Sequence, residues 1–170
     1  MAKGHLNIIK GTYLESGQVD RTLPMGTGAS ATIVRGSIVK AVAGKFEVAV
    51  AADSTALNGQ YYVALADGTN DAVGHAGGLT GFSLQQNVEI ETDQYTAGSL
   101  TVDAPVSLGA DGKFVLAVAG DVVIGRISKA PHVRYSNDSE RTDYNGRPAV
   151  NGNNINVIRV SISAERAVQA

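Results

Sequence analysis

The chain of 170 residues contains no cysteine. That absence excludes a disulfide scaffold, thiolate zinc sites and cysteine nucleophiles. Tryptophan is missing too, and aromatic residues amount to 5%, as six Tyr and three Phe. Platforms for stacking sugars or bases are therefore scarce. Charge is sparse: 18% of residues are charged, against roughly 25% in an ordinary soluble domain. The formal net charge of −2 supplies no positive field to hold nucleic acid. No apolar run is long enough to span a bilayer, and Met1-Ala2-Lys3-Gly4-His5 lacks a signal-peptide core, so no membrane partner is expected. Synthesis and folding in a cytoplasm are the expectation. A surface so poor in charge is expected to be covered in part by a partner.

What the chain does contain is Val, Ala, Ile and Leu in quantity, with 20 glycines. Small and β-branched residues punctuated by Gly favour short strands joined by tight turns. Phe46, Val48 and Val50 alternate with Glu47 and Ala49, the period of a half-buried strand. Asn58-Gly59, Asp67-Gly68 and Asp111-Gly112 are turn signals. Tyr61, Val63 and Leu65 follow the first of them on one face, and Phe114, Leu116 and Val118 follow the last. Val88 and Ile90 alternate with Glu89 and Glu91, Val122 to Ile127 reads as another strand, and Ile158, Val160 and Ile162 form a closing one. Ala164 to Ala170 reads at most as a frayed helical turn. Turns recur about every 8–12 residues, the spacing of an all-β sandwich or barrel.

The expected fold is therefore all-β: a small β-barrel or β-sandwich of short antiparallel strands and hairpins, with an extended N-terminal arm and a long polar loop. The arm covers residues 1–32 and the barrel or sandwich domain 33–170, the latter including the polar loop 130–155. In the arm, Leu6, Ile8 and Ile9 make an apolar patch, followed by Tyr13 and Leu14. It is read either as a first strand on its own domain or as a segment reaching a neighbouring subunit. In the loop, Arg134, Tyr135, Arg141, Tyr144 and Arg147 are interleaved with Asn137-Asp138-Ser139-Glu140 and Asp143. Long polar loops in compact domains carry function. These ten residues, Leu6, Ile8, Ile9, Tyr13, Leu14, Arg134, Tyr135, Arg141, Tyr144 and Arg147, are the expected partner contacts.

One internal echo has a fixed offset. Gly44-Lys45-Phe46, Ala49-Val50-Ala51 and Asp53 return as Gly112-Lys113-Phe114, Ala117-Val118-Ala119 and Asp121, shifted by 112 − 44 = 68 residues. Seven identities in phase indicate a repeated supersecondary unit, two related β-units in one domain.

Catalytic constellations are not found in the sequence. His5, His75 and His132 are widely separated and none has a second ligand at metal spacing. There is no nucleophile elbow. Gly26-Thr27-Gly28 opens neither a dinucleotide fingerprint nor a phosphate loop. The interleaved arginines argue against calcium at the acids of the polar loop. Glu89, Glu91 and Asp93 share one side of a strand and are read as a solvated charged face rather than a hydrolytic pair. No enzymatic activity, metal or cofactor is expected.

Two stretches carry a family resemblance. Arg35-Gly36-Ser37-Ile38-Val39 through Gly44-Lys45-Phe46 is one. Ala104-Pro105-Val106-Ser107-Leu108-Gly109 through Gly112-Lys113-Phe114-Val115-Leu116-Ala117 to Asp121-Val122-Val123-Ile124-Gly125-Arg126 is the other. Over about residues 33–130 this grammar resembles the capsid decoration, or cement, proteins of tailed bacteriophages. The arm and the polar loop lie outside it. The resemblance implies a virion protein on the outer surface of the capsid that stabilises the head by bridging neighbouring major capsid protein subunits. It also implies self-association, as a homo-trimer before a dimer. A receptor- or carbohydrate-binding β-domain of a phage tail or fibre is the alternative.

Overall fold

A computed structural model describes residues 4–10, 21–25, 32–50, 53, 61–69, 79–84, 88–134 and 155–170. The protein is all-β, as its alternating sequence requires: among the described residues there are strands, turns and short 3-10 stretches at Asp53 and Ala110–Gly112. In chain order the strands are β1 (Leu6–Lys10), β2 (Arg21–Leu23), β3 (Thr32–Ile33), β4 (Ile38–Val42), β5 (Lys45–Val48), β6 (Tyr61–Ala64) and β7 (Gly68–Thr69). They continue with β8 (Leu79–Ser83), β9 (Glu89–Thr92), β10 (Pro105–Leu108), β11 (Phe114–Leu116), β12 (Val122–Arg134) and β13 (Ile155–Val168).

The strands assemble into two sheets of like design. One has the order β2-β8-β6-β4-β5; the other is β9-β13-β12-β10-β11 with β1 added outside β9. Setting aside the small β3–β7 ribbon, each sheet takes five successive strands and arranges them first, fifth, fourth, second, third. All pairings in both are antiparallel. Each sheet also curls back on itself through one parallel bridge from just beyond its first strand to its third: Met25 to Phe46, and Tyr95 to Phe114.

The 68-residue echo is therefore a structural duplication. Its turns are built alike. Ala43 and Gly44 take positive φ of 47° and 78°, and Asp111 and Gly112 take 56° and 68°. Farther along, Val50 N–H donates to Asp53 Oδ2 at 2.7 Å, and Val118 N–H donates to Asp121 Oδ2 at 3.0 Å. The aspartates recur because each carboxylate satisfies a turn donor that would otherwise face solvent. Ala49 N–H reaches Ile38 O and Ala117 N–H reaches Pro105 O, both at 3.0 Å.

Side chains of unit one alternate between two cores. Val39, Phe46, Val48, Tyr62, Ala64 and Leu79 fill its own interior, with Phe46 and Tyr62 meeting edge to face at 5.2 Å. Ile38, Tyr61, Val63 and Phe82 point the other way, into a larger core shared with Ile90, Val106, Phe114, Ile127, Ile158 and Val160 of unit two. Strands β4 and β6 thus carry apolar residues on both faces, which is why Tyr61 to Ala64 are all buried.

Three sequence expectations are altered. Residues 1–32 are not wholly an arm: β1 adds to β9 and β2 pairs with β8, both within the chain. The polar excursion does not begin at 130, because β12 continues to Arg134, with a register shift around Pro131 that absorbs its missing donor. Residues 164–168 are not helical; they extend β13, with Val168 opposite Val122. A ladder partner outweighs weak local propensity there. Asn58-Gly59 and Ala164 to Ala167 side chains lie outside the described residues.

Candidate functional site

Among the described residues the strongest concentration of ionic contacts surrounds Glu91, in the middle of β9. Period-two geometry puts Glu91 on the same face as Asn7 of β1 and Arg159 of β13, its register partners on either side. The sequence reading placed this carboxylate on a solvated face. Its side chain is instead 0% exposed, because groups from three segments close over it. Arg159 Nε donates to Oε2 at 2.8 Å. Arg134, at the far end of β12, brings a guanidinium nitrogen to 2.8 Å from Oε1. His5 Nε2 lies 3.3 Å from Oε1, and His132 Nε2 lies 3.4 Å from Oε2. The other His132 nitrogen, Nδ1, stands 2.9 Å from Ala130 O, which fixes the ring plane.

The electrostatics follow from this geometry. Burial pushes the Glu91 carboxyl up, but the Arg159 hydrogen bond, the Arg134 charge and the His5 hydrogen bond together outweigh it. The carboxyl is held below its ordinary value of 4.5. Glu91 is therefore an ionised acceptor with both oxygens engaged. It has no proton to donate and no spare basicity for abstracting one. The arrangement is an anchor, suited to holding segments together.

The segments held are specific. His5 belongs to the stretch leading into β1, and its backbone N–H also donates to Asp93 Oδ1 at 2.9 Å. That stretch packs against the turn before β4. Arg35 donates a guanidinium N–H to Leu6 O at 3.2 Å, and Thr92 Oγ1 donates to Gly36 O at 3.2 Å. Gly36 has φ of +87°, and a Cβ there would lie 2.5 Å from both His5 O and Thr92 Oγ1. His132 and Arg134 belong to the outer part of the β12–β13 hairpin. β10 pairs with β12 only at Gly125 and Arg126, and β9 pairs with β13 only from Ile158 to Ser161. Beyond those points the hairpin runs on as a two-stranded ribbon, His132 opposite Val157 and Arg134 opposite Ile155. It carries the segment 135–154 at its end. A two-stranded ribbon alone is marginal in water, so the contacts of His132 and Arg134 with Glu91 brace its outer described part against β9.

Of the expected partner contacts, Arg134 is in this anchor. Leu6 is corrected: it is 1% exposed in the shared core and has no surface to offer a partner. Ile8 packs against the same core, and Ile9 is half-buried in β1. Tyr13, Leu14, Tyr135, Arg141, Tyr144 and Arg147 lie outside the described residues. The sequence reading missed Glu91, His5, His132 and Arg159 as a set. The available signal was Arg159, a cation in mid-strand between Ile158 and Val160, which needs an acidic partner on a neighbouring strand.

Among the described residues there is no group of three His, Asp or Glu placed to hold a metal ion. Among the same residues no helix is long and apolar enough to cross a membrane. No family model, curated protein or solved structure matches the chain.

Proposed function

We propose that this chain is a structural virion protein. In this reading it docks on the outer surface of an assembled phage capsid and bridges neighbouring major capsid protein subunits, working as a homo-oligomer. The observation that carries the reading is the braced hairpin: beyond its pairing with β9 and β10 the β12–β13 hairpin runs on as a two-stranded ribbon, and His132 and Arg134 tie its described end to the buried Glu91 carboxylate. The ribbon ends at Arg134 and Ile155, the two residues between which the polar segment 135–154, with Tyr135, Arg141, Tyr144 and Arg147, is joined to the body. Arginine and tyrosine are the residue types that dominate binding energy at interfaces. The low overall charge and the phage-head grammar of residues 33–130 support the same reading. Binding only to the assembled lattice would stabilise that state by mass action, and several copies joined in one oligomer would add avidity.

The test is co-sedimentation of purified protein with undecorated capsids of a tailed phage. The expected result is saturable binding and a higher temperature of DNA release. Replacing residues 137–152 with a short Gly/Ser turn is expected to abolish binding, while Tyr13→Ala in the N-terminal segment costs less than tenfold. Failure to bind intact capsids, with a folded protein in hand, overturns the proposal. Analytical ultracentrifugation reads the oligomer, with a trimer expected.

A further inference from the structure

The anchor joins two parts of the chain that are far apart in sequence. His5 and Arg134 both approach the same oxygen, Oε1 of Glu91, at 3.3 and 2.8 Å. His132 and Arg159 share the other oxygen. One side of this clasp is the N-terminal segment, whose strand β1 forms the edge of the larger sheet. The other side is the β12–β13 ribbon.

We propose that the N-terminal segment and the projecting hairpin form one coupled conformational unit, latched by the shared Glu91 carboxylate. Loosening either then weakens the hold on the other. The physical reason is that the position of the carboxylate is set jointly. Arg134 pulls Oε1 toward the hairpin, and His5 holds the same oxygen against the N-terminal segment. If the His5 imidazole leaves, the N-terminal segment keeps the backbone bond from His5 N–H to Asp93 Oδ1 but loses its side-chain tie to Glu91, and the carboxylate is freer to move, so Arg134 and His132 bind a less ordered acceptor. Groups sharing one acceptor are coupled rather than additive. The coupling is reciprocal by linkage: whatever the hairpin feels from the N-terminus, the N-terminus feels from the hairpin. A partner that grips segment 135–154 would in this way also set the order of the edge strand β1. The inference concerns the isolated protein and does not depend on the identity of that partner.

Amide hydrogen exchange on the full chain tests it, since local opening is read residue by residue. In His5→Gln, amides of residues 130–134 and 155–158 are expected to exchange faster, on the order of fivefold, the size typical of coupled neighbours. In Arg134→Gln, amides of residues 6–9 are expected to accelerate by a similar factor. In a Glu91→Gln background the two substitutions should act independently, each confined to its own segment. Amides of β4 and β6, in the other unit, serve as the reference. Two results overturn the proposal. One is wild-type exchange in the hairpin of His5→Gln and in β1 of Arg134→Gln. The other is equal acceleration in β4 and β6, which would mean general destabilisation instead of a latch.

Discussion

Glu91 shows how a residue's surroundings reverse its sequence reading. Between Ile90 and Thr92 in an alternating strand, it has the pattern of an outward charge. Two arginines and two histidines delivered from residues 5, 132–134 and 159 bury it instead. Removing the central charge leaves Arg134, His132 and Arg159, which are 21–30% exposed and can hydrate, without their ion partner. Glu91→Gln keeps the shape but not the charge, and is expected to cost about 1–3 kcal/mol, the partial exposure of the cations reducing the loss expected of a fully buried set, measured by urea unfolding. The pH dependence has a definite sign. The folded-state carboxyl titrates below its ordinary value of 4.5, so in acid the unfolded chain takes up the proton first. The stability contributed by Glu91 is fully present above about pH 4.5 and is lost as the pH falls through the lower folded value. Wild-type protein should therefore lose stability below that pH more steeply than Glu91→Gln. Parallel acid limbs for the two proteins would show that Glu91 is not the ionised anchor described.

The duplicated turns invite comparison at the scale of elements. Gly44 lies in the two-residue turn between Val42 and Lys45 and Gly112 in the five-residue loop between Leu108 and Phe114; both have positive φ, so any Cβ costs about 1 kcal/mol at either place. Their surroundings differ. A Cβ at Gly44 would meet nothing within 4 Å, whereas one at Gly112 would lie 2.5 Å from Ile38 O, because the second unit's turn presses on β4 of the first. Gly44→Ala is expected to lower stability by about 1 kcal/mol, and Gly112→Ala by about 1–3 kcal/mol more. Thermal denaturation of the two variants checks the difference. Equal losses would mean that the turn of unit two does not bear on unit one. The sequence made the turns legible, since Gly-Lys-Phe and the later Asp stand at a constant offset. It could not show that one turn is free and the other is seated, because seating depends on how the units meet.

For the whole molecule the shared core decides the behaviour. Ile38, Tyr61, Val63 and Phe82 turn their side chains away from their own unit's interior and toward the other's. Separated, unit one would expose that apolar face to water at roughly 25 cal/mol per Å². The chain is therefore expected to unfold in one cooperative transition, with calorimetric and van't Hoff enthalpies in agreement. A fragment of residues 21–84 is expected to give no dispersed NMR spectrum as a monomer. Two resolved transitions, or a folded fragment, would show that the units are independent domains.

Sequence by itself determined the fold class, the approximate turns and the duplication. Those depend on near-neighbour chemistry: period-two alternation, Gly at positive φ, and an Asp that caps its own turn three residues back. Tertiary structure decided which strand neighbours which. It turned part of the expected arm into β1, lengthened β12 and β13 into a two-stranded ribbon, and buried Glu91 beneath arginine and histidine side chains drawn from both ends of the chain. Backbone pairing and charge neutralisation act between residues distant in sequence, and local pattern carries no record of those distances.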